Sequence, residues 1–109
     1  MNNDVFAAIA DPTRRDILLI LARQTLPVQT LAGRFSISRP AISKHLRILL
    51  EAGLVNEQKV GRQRLYQARL DQLRVVREWV LYFDQFWTDR LQILKTLVED
   101  APDDQPATD

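Results

Sequence analysis

The stretch SISRPAISKHLRILLEAGLV, Ser36–Val55, decides how the chain is read. Turned at about 100° per residue from Arg39, it gathers Arg39, Pro40, Ser43, Lys44, Arg47 and Glu51 within an arc of about 140°. Ile42, Leu46 and Leu49 fall on the other side. One face suits a core, while the other is small, hydroxylated and cationic. Ser38 is the expected N-cap, and Pro40 costs little in a first turn, where its missing N–H has no helical partner to lose. Gly53 stands where a left-handed residue closes a helix, with Leu54 folding back over it. A helix is therefore expected from Arg39 to about Ala52.

Working outward, Asn3 or Asp4 starts a short first helix to Ala10, with Val5, Phe6 and Ile9 at helical spacing. Asp11 caps and Pro12 opens a second helix, DPTRRDILLILAR, whose apolar run is too continuous for a surface helix and marks it as central. VQTLAGRF, 28–35, reads as a third helix, and SIS, 36–38, as the turn before the fourth. Beyond Gly53, LVNEQKV and RQRLYQAR read as two strands around Gly61, a hairpin with a basic tip. Asp71 is expected to cap a last helix reaching Val98, roughly 40 Å long. The fold class is mainly α with a small β-hairpin: a winged helix-turn-helix of about five helices plus a two-stranded wing. Residues 1–98 are read as this domain, with N- and C-terminal dimerisation helices, and 99–109 as an acidic, disordered tail.

At 109 residues and 46% hydrophobic, the chain has room for one core and must either extend it by association or stay modest in stability. The net charge of +1 hides an asymmetry. Residues 34–77 hold ten bases against three acids, whereas the tail from Glu99 holds five acids and no base. Cysteine is absent, which excludes a disulfide framework, a thiolate zinc site and thiol redox sensing. The first twelve residues lack a basic segment followed by a long apolar run, and the longest aliphatic stretch, ILLILA, is far too short for a membrane span. A cytoplasmic protein is expected.

A short helix, a turn, a second helix with a cationic face and a basic hairpin make a DNA-binding arrangement. Arg39, Ser43 and Lys44 are expected to reach base edges in the major groove, and Arg62 and Arg64 to touch the backbone or minor groove. FAAIADPTRRDIL, SRPAISKHLRILLEAGLV and VGRQRLYQ resemble the signature stretches of the ArsR-type (ArsR/SmtB-like) winged-helix repressors, over most of residues 6–98. The resemblance implies a homodimeric bacterial transcriptional repressor or autorepressor, bound to an operator near its own promoter and released by a signal. Residue by residue it assigns Ser38, Arg39, Pro40, Ser43, Lys44 and Arg47 to the recognition helix and Arg62 to the wing.

The chain departs from the metal-sensing members of that family. Its third helix carries no thiol or imidazole, and FDQFWTDR on the last helix offers only Asp84 and Asp89, about 140° apart around the helix. The reading is a cysteine-free, non-metal-sensing branch with no cofactor, open to a small-molecule or protein effector. His45, the sole histidine, falls in the apolar arc and is read as a packed residue bonded to one backbone or hydroxyl group. With no nucleophile–base pair and no glycine-rich phosphate loop, an enzyme is not expected. On the last helix, Leu73, Val76, Val80, Phe83, Trp87, Leu91, Leu94 and Val98 form one stripe, and Val75, Trp79, Tyr82, Phe86, Ile93 and Leu97 a second. One stripe suits the chain's own domain and the other a twofold copy. The expected dimer contact is Val5, Phe6 and Ile9 with Trp79, Tyr82, Phe83, Phe86, Trp87 and Leu94. A ligand pocket lined by Trp79, Phe83, Phe86 and Trp87 is the competing use of those aromatics. A protein-binding adaptor that does not read DNA is the competing use of the whole chain.

Overall fold

The computed structural model describes residues 4–100, which divide into two compact units between Val76 and Arg77. The first unit runs α1 (Val5–Ile9), α2 (Pro12–Arg23), β1 (Leu26–Pro27), α3 (Val28–Ala32), α4 (Arg39–Glu51), β2 (Val55–Val60) and β3 (Gln63–Ala68). A single 3-10 turn, Asp71–Leu73, leads into α5 (Arg74–Glu99), which makes up the described part of the second unit beyond Val76. The expected tail lies, from residue 101 on, outside the described residues.

The local starts and stops have identifiable causes. Asp4 accepts from the Phe6 N–H at 2.8 Å, Asp11 from the Arg14 N–H at 3.1 Å, and Ser38 from the Ala41 N–H at 3.2 Å, each closing one orphan donor of a helix start. A five-residue helix such as α1 is not stable alone. Its last carbonyls are taken up by the next helix: Arg14 Nε donates to Ala8 O at 2.7 Å and Arg15 Nη1 to Ile9 O at 2.9 Å. At the end of α4, Gly53 has φ 77°, its N–H bonds Leu50 O at 3.0 Å, and the Leu54 N–H bonds Leu49 O at 2.9 Å. That pair of bonds is a Schellman closure, and Leu49 and Leu54, both fully buried, make its apolar contact.

Ile17, Leu18 and Leu21 of α2, Leu31 of α3, and Ile42, Leu46 and Leu49 of α4 form the core with Leu54 and Val55 at the entrance to the hairpin. Among the described residues no polar or charged residue is buried. The hairpin turns at Gly61-Arg62, with Val60 opposite Gln63 and φ 63° at Gly61, as a two-residue turn requires.

Four features differ from the sequence expectation. The sheet has three strands, in order β1-β3-β2, because Leu26 and Pro27 pair with Tyr66 and Leu65; an edge position tolerates the proline. Helix α3 stops at Ala32, so the connection to α4 covers residues 33–38 rather than three residues. Asp71 caps no helix: its carboxylate accepts from Arg69 Nη2 at 3.2 Å, and Leu70 precedes the 3-10 turn without a side-chain cap. His45 meets a guanidinium, not a backbone or hydroxyl group, with Arg14 Nη1 3.2 Å from its Nδ1. Arginine only donates, so Nδ1 accepts in this contact.

The Asp11 cap yields a pH-dependent test. Its carboxyl is held below the ordinary value of 3.8, chiefly by the Arg14 N–H bond, against a smaller opposing effect of desolvation, and with the electrostatic influence of the neighbouring His45 and Arg14 side chains adding to the lowering. A carboxyl with a depressed folded-state value contributes stability above its unfolded value and loses it as pH falls through the folded one. Asp11→Ala is therefore expected to melt below wild type at neutral pH, with the gap closing as pH falls from the ordinary carboxyl value of 3.8 through the lower folded-state value. Circular dichroism melts of both proteins across that range check this, and a gap constant with pH would contradict it.

Candidate nucleic-acid interface

Burial of Ile42, Leu46 and Leu49 fixes the rotation of α4, and Ser38, Arg39, Pro40, Ser43, Lys44 and Arg47 on its other side are all exposed. Arg47 Nε lies 3.6 Å from Glu51 Oε2 one turn on. Both side chains are solvated, and such pairs contribute only about 0.3–0.5 kcal/mol, so Arg47 exchanges that partner readily. Among the described residues Arg39, Lys44 and Arg62 carry no ion pair.

The hairpin brings its own cations toward the start of α4. A polar cavity of about 290 Å³ is lined by Arg39, Arg62 and Arg64 together with Val28, Gln29, Gln63 and Tyr66. Three guanidinium groups from two separate elements thus border one space wide enough for an anionic group. Arg64 Nη1 donates to Glu57 Oε1 at 3.1 Å across the hairpin. Burial raises the Tyr66 phenol above its ordinary 10.0, the neighbouring Glu57 raises it further by a hydrogen bond and its charge, and Arg64 opposes them. The phenol therefore stays a donor at any physiological pH.

Sequence reading named Arg39, Arg62 and Arg64 but missed Gln29, Gln63, Tyr66 and Glu57. Period-2 alternation about the Gly61-Arg62 turn would have put Glu57, Arg64 and Tyr66 on one face, a signal that was present in the pattern. Gln29 has no such signal, since only tertiary packing brings α3 to the hairpin. Lys44 and Arg47 lie outside the cavity lining, one and two turns along α4.

The residues read as a dimer contact divide. Val5 is buried in its own core, Ile9 packs partly against that core, and Phe6 is exposed. Leu73, Val75 and Val76 also pack against the core. On α5 beyond them, Trp79, Tyr82, Phe83, Phe86, Trp87 and Leu94 are all exposed, as are Val80, Leu91, Ile93, Leu97 and Val98. The aromatics contact one another along the helix, with Trp79–Phe83 centroids 5.2 Å apart and Tyr82–Phe83 5.3 Å, both edge to face. Phe83, Phe86 and Trp87 border a shallow apolar hollow with Arg90. Among the described residues no group of three or more His, Asp or Glu is placed to hold a metal ion, and no helix is long and apolar enough to cross a membrane.

Residues 11–57, from the α2 cap to the first half of the hairpin, match the family described as bacterial regulatory protein, arsR family. The chain is 39% identical to the HTH-type transcriptional regulator Rv2034 of Mycobacterium tuberculosis strain H37Rv over 97 residues, covering 89% of this chain and 88% of that protein. It is 38% identical to the transcriptional repressor SdpR of Bacillus subtilis strain 168 over 81 residues, covering 74% of this chain and 90% of that one. Among solved structures, an ArsR-like transcriptional regulator from Rhodococcus sp. RHA1 superposes with a TM-score of 0.71 at 38% identity, over 90% of each chain.

Proposed function

Because the chain belongs to the ArsR family of bacterial regulatory proteins, we propose that it acts as a homodimeric repressor or autorepressor that grips its operator through α4 and the β2–β3 wing. That it is a DNA-binding transcriptional regulator with a winged helix-turn-helix, and not an enzyme, follows from the family itself. Regulators of this family bind DNA operators, typically as dimers. The residue roles are our reading, and the observation that carries them is the convergence of Arg39, Arg62 and Arg64 on one polar cavity. In this reading Ser38, Pro40 and the first turn of α4 leave room for the sugar-phosphate backbone. Arg39, Ser43 and Lys44 face base edges, and Arg47, Arg62 and Arg64 meet phosphates. Its place is the cytoplasm, where the operator DNA is.

Two copies are proposed to join through α5. The support is its exposed apolar surface, which carries both tryptophans and would be a large unpartnered patch on a lone chain. Phe6 of α1 joins the same contact in this proposal. Light scattering at micromolar concentration is expected to give twice the 12.6 kDa chain mass, and a monomer at every concentration would reject the interface.

Base reading and phosphate attraction separate by mutation and salt. A guanidinium bonded to a guanine edge discriminates by about 1–3 kcal/mol, so Arg39→Ala is expected to lose affinity mainly for the operator. Arg62→Ala is expected to weaken operator and scrambled duplex alike and to lower the salt slope by about one unit. Titration of wild type and both variants against both duplexes over a salt series checks this. Equal losses for Arg39→Ala on the two duplexes would move the base-reading role to Ser43 or Lys44.

A further inference from the structure

Arg64, which lines the cavity between the start of α4 and the hairpin, is paired with a carboxylate that the proposed DNA face leaves unused. The β2–β3 register sets Glu57 opposite Tyr66 and Lys59 opposite Arg64. By alternation, Val55, Glu57, Lys59, Arg64, Tyr66 and Ala68 share one face of the hairpin. At the core end of that face Val55 is buried and Tyr66 and Ala68 are half-buried, whereas at the tip Lys59 and Arg64 are exposed. Glu57 stands between the two ends and is the only acid among these six. Its Oε1 accepts from Arg64 Nη1 at 3.1 Å, with a third of the Glu57 side chain and 60% of the Arg64 side chain exposed. Arg64 and Tyr66 in turn border the cavity with Arg39 and Arg62. The Arg64 guanidinium of the free protein is therefore already engaged by an internal anion beside a space whose other charged groups are all cations.

We propose that Glu57 is a built-in competitor for a DNA backbone phosphate at Arg64, and so sets how tightly and how salt-sensitively the wing holds DNA. The proposal rests on the DNA-binding reading above. A solvated ion pair is weak, whereas a phosphate within the dense charge of a duplex draws the guanidinium strongly, so exchange of partners goes forward on binding. The gain is reduced by what is left behind. Arginine meeting phosphate releases a condensed counterion from the DNA, but an unpaired Glu57 beside the duplex takes up a cation and cancels part of that release. Removing the charge while keeping the shape, as in Glu57→Gln, lets Arg64 act as a full phosphate contact. The remaining side-chain amide still serves as a hydrogen-bond partner for the Tyr66 phenol.

The test is a titration of wild type, Glu57→Gln, Arg64→Ala and the double variant against a duplex of the chain's own upstream promoter and a scrambled duplex, over a salt series. Glu57→Gln is expected to bind both duplexes about three- to tenfold more tightly near 0.1 M salt, with a slope steeper by up to about one unit. In the Arg64→Ala background that gain is expected to vanish, so that the double variant binds like Arg64→Ala. Two results overturn the proposal: no tightening by Glu57→Gln, or a tightening that persists undiminished without Arg64, which would mark a general charge effect. Glu57→Ala carries the same expectation, and melting curves confirm that each variant is folded. If wild type shows no salt-dependent binding to either duplex, the DNA-binding reading fails and this proposal with it. Salt-dependent wild-type binding without the Glu57 effect overturns the competitor role alone.

Discussion

Helix α4 has to be a wall of the core and a reading surface at once. Ile42, Leu46 and Leu49, each at 2% exposure or less, pin its rotation, and burying three such side chains is worth several kcal/mol, about 1.5–3 each. Nothing on the opposite face adds comparable energy. That face is therefore free to carry Arg39, Ser43, Lys44 and Arg47 at almost no cost to folding. The same burial sets the direction of the chain beyond it, since Leu49 also forms the apolar half of the Schellman closure with Leu54. From that corner the hairpin departs, and its guanidinium groups return to the start of the helix that launched it.

Arginine performs two different tasks in this small domain. Arg14 and Arg15 are spent inside it, collecting the carbonyls of Ala7, Ala8, Ile9 and Ala10, and Arg14 also reaches the His45 ring of α4. A planar donor with five N–H groups suits this, because one side chain satisfies several acceptors at the end of a helix too short to hold itself. Arg39, Arg62 and Arg64 are held at the surface. Three like charges around one cavity suit an anionic ligand. Glu57 already engages one of the three, Arg64, and in the proposal above this links the strength of the wing's grip to a single carboxylate.

The features legible in the sequence were those written in contiguous residues. Asp4, Asp11 and Ser38 cap because a short polar side chain reaches an N–H two or three residues on, whatever the rest of the fold does. Gly53 and Gly61 announced their turns for an equally local reason, the positive φ that each adopts. What the sequence hid depends on distant partners. The two residues of β1 have no strand signal of their own and exist because Tyr66 and Leu65 lie alongside. The partner of His45 is 31 residues away, and Asp71 was misread because a competitor two residues back, Arg69, claims its carboxylate. Three of the seven residues of the cavity lining were visible as basic residues. The neutral ones, Val28, Gln29, Gln63 and Tyr66, gain meaning only once α3 and the hairpin meet.

In the proposed reading, the exposed start of α4 and the hairpin tip form one DNA-reading surface, and the aromatic surface of α5 takes no part in holding DNA. Hydrogen–deuterium exchange of the wild-type protein, alone and saturated with promoter duplex at low salt, tests it most directly, because it reports on every segment together without altering any residue. New protection is expected in residues 36–47 and 59–66, with residues 77–99 unchanged. Protection confined to 77–99, with the start of α4 and the hairpin tip exchanging as they do in the free protein, would contradict it.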